Sequence, residues 1–184
     1  MTPKEINEKL LDVHSYVLEG DIFLYHKYVS PMFEGERIID LGTGYGKSAM
    51  AMALSNPDVQ IISIDDGSMP LSNNYVENIS SYRETLEISF NDHGVDNIQV
   101  LVGDILEIAD RFPEESFDLL HIDMMIQFDV EALEKWLPKL RIGGILLLRN
   151  YERKREEFDK ILAKFPTINF LETISGSIIY VYQV

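Results

Sequence analysis

The stretch Arg37 to Ala53, RIIDLGTGYGKSAMAMA, limits this chain more than any other. A β-branched pair, Ile38 and Ile39, leads into Asp40 and Leu41. Three glycines follow at alternate positions, Gly42, Gly44 and Gly46, and then a run rich in alanine and methionine. The pattern predicts a strand, a tight turn and a helix. Without a Cβ, a glycine lets the backbone take positive φ or pass close to a ligand. Such a turn aims its N–H groups, and the positive end of a helix dipole, at a negative or electron-rich partner.

Spacing separates the ligand classes that use these turns. A dinucleotide fingerprint, G-x-G-x-x-G, needs a third glycine where this chain has Lys47. A phosphate loop, G-x-x-x-x-G-K-[ST], is completed by Gly46, Lys47 and Ser48, but its first glycine falls on Leu41. What remains is D-L-G-T-G-Y-G, which resembles the first motif of the class I S-adenosylmethionine-dependent methyltransferases. The resemblance implies that Asp40, Gly42, Thr43, Gly44 and Gly46 hold S-adenosyl-L-methionine. A purely structural glycine turn in another α/β protein is the alternative.

Composition bounds the partners. The 184 residues carry 16 basic and 31 acidic side chains, a net charge of −15. That field repels nucleic-acid phosphate and anionic lipid, so neither nucleic acid nor membrane is an expected partner. There is no cysteine, hence no disulfide, thiolate nucleophile or cysteine zinc site. The first residues, MTPKEINEKLLDVH, lack an apolar signal core, and the expectation is a soluble cytoplasmic protein.

Along the chain, Ile6, Leu10, Val13 and Val17 predict one amphipathic helix ending at Gly20. A second helix, Ile22 to Val29, is aromatic and is broken by Ser30-Pro31. Residues 1–36 thus form a helical flap ahead of a domain at 37–184, and Tyr25, His26 and Tyr28 are candidates for a substrate lid. Gln60 to Asp65 reads as a buried strand ending in two acids. Asp65, or else its neighbour Asp66, stands where an acidic residue accepts from ribose hydroxyls. Tyr75, Ile79, Tyr82, Leu86 and Phe90 predict a long helix, whose surplus length offers a contact for a homo-oligomer. Ile98 to Val102 is a strand. Asp104 leads a helix from Ile105; the resemblance places Asp104 by the adenine amino group and Ile105 among the cofactor-binding residues, with a plain helix cap as the alternative role of Asp104. Phe117 to Asp123 is a strand, followed by a helix from Val130 to Leu140 capped by Asp129. A Gly143-Gly144 turn, a strand at Ile145 to Leu148, a helix at Tyr151 to Phe165 and a closing antiparallel hairpin through Ser175-Gly176 complete the chain.

Strand–helix alternation predicts an α/β fold, a doubly wound and mostly parallel sheet. The closing hairpin is similar to the class I methyltransferase fold, with seven strands and an antiparallel last one. Ligands of such sheets lie at the carboxyl ends of the strands. Those ends carry Asp40, Asp65, Asp104 and Asp123, a rim suited to a sulfonium and a ribose diol and poorly suited to a pyrophosphate.

The stretch from His121 to Tyr151 is similar to small-molecule O-methyltransferases of the catechol and macrocin types. The catechol type holds a metal by an Asp after the fourth strand and an Asp-Asn pair after the fifth. Asp123 and Asn150 match, but Arg149 occupies the middle position, so no metal is expected. The macrocin type has a His and a Tyr where this chain has Ile126 and Phe128. Asp123 is the candidate base or substrate anchor, with a cap or cofactor contact as its alternative. His121 reads as a packed histidine. Met124 and Met125 are candidates for the methyl pocket, and Arg149 and Asn150 for substrate binding, with the Arg149 fork suited to a carboxylate. The expected function is methyl transfer from S-adenosyl-L-methionine to a small molecule, by resemblance at oxygen. Aminopropyl transfer on the same fold and a non-catalytic cofactor-binding module are the rivals.

Overall fold

The computed structural model describes residues 1–68, 79–124 and 126–184. In chain order the elements are α1 (Pro3–Lys9), α2 (Glu19–Val29), β1 (Arg37–Leu41), α3 (Lys47–Ser55), β2 (Gln60–Asp65) and α4 (Ile79–Asp92). Then come β3 (Ile98–Val102), α5 (Ile105–Ala109), β4 (Phe117–Ile122), α6 (Ile126–Trp136), β5 (Leu140–Arg149), α7 (Arg155–Leu162), β6 (Asn169–Glu172) and β7 (Ile179–Gln183). Among the described residues the strands form one sheet, in the order β3-β2-β1-β4-β5-β7-β6. The first five are mutually parallel, and β7 runs antiparallel between β5 and β6. This is the class I arrangement that the alternation and the closing hairpin predict.

The strands alternate their side chains between two cores, as the pleat requires. Ile38, Ile61, Leu119 and Leu147 face a layer built on α1 to α4. Ile39, Ile64, Leu120 and Leu146 face α5, α6 and α7, around the buried Trp136 and Phe158. Residues 1–36 belong to the first layer, where Ile6, Leu10, Ile22, Leu24 and Tyr25 pack with α3 and the sheet. None of the described helices is long and apolar enough to cross a membrane.

Several element boundaries differ from the sequence expectation. The first helix stops at Lys9 rather than running to Gly20. Side chains downstream compete for the backbone: Val17 N–H donates to Ser15 Oγ (2.8 Å) and Leu18 N–H to Asp21 Oδ2 (2.9 Å). Ile6, Leu10 and Val13 still reach the core, so the apolar stripe is satisfied by a turn. Gly20 lies inside the first turn of α2, where a Cβ would stand 2.4 Å from the Gly176 carbonyl oxygen. Its smallness seats α2 on the turn between β6 and β7. Asp129 lies within α6 rather than ahead of it, reaching back to accept from Met124 N–H at 3.0 Å. Gly143 and Gly144 fall inside the span of β5, where the register with β4 shifts, rather than ending a helix. A 3₁₀ turn (Tyr151–Lys154) precedes α7. Of the long-helix stripe, Tyr82, Leu86 and Phe90 are buried, while Tyr75 lies outside the described residues.

Candidate active site

The glycine turn sits at the carboxyl edge of β1. Gly42 has φ +92°, and a Cβ there would stand 2.0 Å from the Asp123 carbonyl oxygen. Only glycine lets the turn lie against the end of β4, where Asp123 N–H in turn donates to Leu41 (2.9 Å). Gly46 takes φ +82° as the residue before α3 and faces the Phe90 ring. The Tyr82 hydroxyl donates to the Gly44 carbonyl at 2.9 Å. The loop is therefore held from both sides.

Asp65 closes the turn from β2. Its Oδ2 accepts from Gly44 N–H (3.0 Å) and its Oδ1 from Gly67 N–H (2.8 Å). Burial raises its pKa against those two bonds. Each carboxylate oxygen has a second lone pair, so the pair can still accept from a vicinal diol. Asp66 is exposed and accepts from Ser68 N–H at 2.8 Å. Asp104 caps α5: its Oδ1 accepts from Leu106 N–H (2.8 Å) and Glu107 N–H (3.1 Å). Ile105 beside it is buried, and its carbonyl accepts from the Trp136 indole at 3.1 Å.

Asp40 is fully enclosed, and its carboxylate is taken up inside the protein. It accepts from His121 Nδ1 (2.6 Å), Ser63 Oγ (2.6 Å) and Ser48 Oγ (3.2 Å). Thr43 reaches the same group through Ser63, at 2.7 Å. Tyr25 is also enclosed, its hydroxyl 3.1 Å from His121 Nε2. Burial and the nearby carboxylates raise the Tyr25 pKa well above the ordinary phenol value. His26 faces away from this group and pairs with the Met1 carbonyl at 2.8 Å. Tyr28 donates to Glu172. The three ring residues of the lid reading thus go to three different places.

At the ends of β4 and β5, Arg149 Nη1 donates to Asp123 Oδ2 at 2.7 Å. Its Nε stands 3.4 Å from Asp21 Oδ2, and its Nη2 donates to the Tyr16 carbonyl. Asn150, held at φ +60°, reaches Asp123 Oδ1 at 3.4 Å. Burial works against the Arg149 charge, but Asp123 and Asp21 outweigh it and raise its pKa. Burial raises the Asp123 pKa, with Arg149 pulling the other way. The fork predicted to be open to a substrate carboxylate therefore already carries protein partners. Asp123 keeps 18% side-chain exposure while Asp21 has none, so Asp123 is the carboxylate a small molecule can reach. Met124 is half-buried, and Met125 lies outside the described residues.

Three residues around the site were not among the site candidates read from the sequence, although Lys47 figured in the glycine motif and Asp129 as a helix cap. Asp21 ties α2 to the closing hairpin, accepting from Ser177 Oγ (2.6 Å), and to Arg149. Lys47, the first residue of α3, donates to the Val13 carbonyl at 3.4 Å. Asp129 is fully buried with one oxygen unpartnered among the described residues, and burial raises its pKa to about 7. Asp21 accepts from Leu18 N–H as half of a capping box, but leucine has no side-chain oxygen to supply the other half, so the sequence carried no helix-start signature for it.

Lys47 and Arg149 both hold the segment between α1 and α2, whose His14 ring packs edge-on against Tyr45 of the turn at 4.9 Å. That segment forms a strap over the carboxyl edge. Among the described residues no group of three or more His, Asp or Glu is arranged to hold a metal ion. A separate cleft of about 610 Å³, lined by Tyr151, Phe165, Phe170, Tyr180 and Tyr182, opens between α7 and the last two strands, not at the glycine turn. The donor set at the turn, with Asp65, Asp66, Asp104 and Asp123 around it, fits a cationic sulfur nucleoside.

Comparisons with known proteins agree. The chain is 25% identical over 152 residues to a ribosomal RNA small subunit methyltransferase G from Mycobacterium leprae, covering 78% of this chain and 54% of that one. It thus spans about half the length of the curated relatives it matches over that stretch. Among solved structures it is similar to an S-adenosylmethionine-dependent O-methyltransferase from Thermotoga maritima, with TM-score 0.67 at 17% identity over 96% of this chain and 69% of that one. A methyltransferase from Geobacter sulfurreducens gives TM-score 0.67 at 16% identity, over 99% and 86% of the two chains. At such identities the likeness is one of fold. The family model described as a methyltransferase domain matches residues 39–151, more than half of the chain. With the strand order and the glycine turn of a class I fold, the chain belongs to the methyltransferase domain family.

Proposed function

We propose that the chain transfers a methyl group from S-adenosyl-L-methionine to a small-molecule acceptor, at oxygen. The observation that carries this reading is the D-L-G-T-G-Y-G turn with the Asp65 carboxylate braced across it. Asp65 would take the ribose hydroxyls, and Asp104 and Ile105 would flank the base. When bound, the cofactor supplies an electrophilic methyl on a cationic sulfur. Transfer is an in-line displacement, so the protein's task is to align the acceptor and take its proton. Asp123 is the reachable acceptor for that proton. Arg149 fixes its orientation, and Asn150 stands at its other oxygen. The strap at 13–16, held by Lys47 and Arg149, would border the edge on which the reaction would run.

A second reading, methylation of RNA, is favoured by the 25% identity to a ribosomal RNA small subunit methyltransferase. The net charge of −15 counts against it. Isotope-labelled methyl donor offered with a small-molecule extract and, separately, with ribosomal RNA tests both. Label in a small organic product supports the first reading, and label in RNA replaces it with the second. Cofactor binding without any label transfer supports a non-catalytic module, and transfer from decarboxylated S-adenosylmethionine alone supports aminopropyl chemistry.

A further inference from the structure

One row of side chains crosses the sheet just inside its carboxyl edge. Register aligns Val100, Ser63, Asp40, His121, Leu147 and Val181 on adjacent strands. The outer three are apolar. The middle three are polar, adjacent and buried at 0% exposure, on the face that packs against α2 and α3. Three apolar residues would fill that space at no desolvation cost, so the polar set needs a reason beyond packing.

The hydrogen bonds have a forced direction. A hydroxyl donates once. Ser63 donates to Asp40 at 2.6 Å, so the 2.7 Å bond between Thr43 and Ser63 has Thr43 as donor. His121 Nδ1 faces the Asp40 carboxylate at 2.6 Å and must carry a proton. Among the described residues the enclosed Tyr25 hydroxyl has His121 Nε2 as its hydrogen-bond partner, at 3.1 Å, and with His121 as the Nδ1–H tautomer Tyr25 donates and Nε2 accepts. Every donor runs toward Asp40: one arm comes from α2, through Tyr25 and His121, another from the glycine turn, through Thr43 and Ser63, and Ser48 of α3 donates directly. Bonds chained this way polarise one another.

We propose that His121 is a positioning residue: it orients Asp40, and so Ser63 and Thr43, making the grip of the glycine turn on its ligand depend on the seating of α2. This inference rests on the cofactor reading above. Tyr25 makes its hydrogen bond to His121 and acts on the turn through three side chains, His121, Asp40 and Ser63.

The test uses the full chain, S-adenosylhomocysteine as probe, and the variants Tyr25→Phe, Ser63→Ala and the double variant. Each single change is expected to weaken binding about three- to tenfold, the effect of one net hydrogen bond. The double variant is expected to bind no worse than the weaker single one, since both cut the same chain. Long-range ¹⁵N–¹H spectra are expected to show His121 as the neutral Nδ1–H tautomer, assigned by its loss in His121→Gln. Wild-type affinity in Tyr25→Phe, independent losses that multiply in the double variant, or a proton on Nε2 would each overturn the proposal. Absence of binding by the wild-type chain would instead defeat the cofactor reading, and this inference with it.

Discussion

At the scale of single residues, the charges at the carboxyl edge are spoken for. Arg149 neutralises Asp123 and reaches toward Asp21, and neither carboxylate has another cation within ion-pair distance among the described residues. Arg149→Met is therefore expected to cost about 3–5 kcal/mol in chemical denaturation, because it strands buried charge. Arg149→Lys is expected to recover little, since an ammonium cannot reproduce the fork. Asp129 gives a sign-specific pH effect. Its folded pKa, about 7, lies above the ordinary carboxylate value of 3.8, so between the two the folded state holds a proton that the unfolded state has released. Stability from this group is present below about pH 4 and lost as pH rises through about 7. Asp129→Asn keeps an oxygen for Met124 N–H and is expected to remove a pH-dependent loss on the order of a few kcal/mol across that window. Asp65, Asp123 and Arg149 were legible because strand ends at the edge of a parallel sheet are where chemistry sits. Whether Arg149 was open to a ligand was not legible, since its partners Asp21 and Tyr16 are more than a hundred residues away in sequence.

At the scale of elements, the glycine turn and the strap are the parts that would meet the ligand of the proposed function. Gly42→Ala is expected to destabilise the chain by at least about 2 kcal/mol, since it combines a disfavoured φ with a backbone clash at 2.0 Å. Loss of nucleoside binding should accompany it. Lys47→Met removes the bond to Val13 and is expected to speed hydrogen exchange across residues 13–17, while the sheet amides keep their protection. The strands and central helices were readable because apolar runs and turn residues mark them locally. The strap was not. The apolar spacing of Ile6, Leu10, Val13 and Val17 fits a helix, but local side-chain bonds and the edge it crosses break that helix at Lys9.

At the scale of the whole molecule, one sheet with a helical layer on each face sets all of these groups along a single edge. The edge is acidic, and so is the chain, at −15. Such a surface suits a sulfonium nucleoside and opposes polyanions. Calorimetry of the purified chain with S-adenosylhomocysteine, NADH and ATP tests this most directly. The account expects saturable binding of the sulfur nucleoside, weakened in Asp65→Asn, and none of the two pyrophosphate-bearing ligands. Uptake of NADH or ATP with no response to S-adenosylhomocysteine would contradict it.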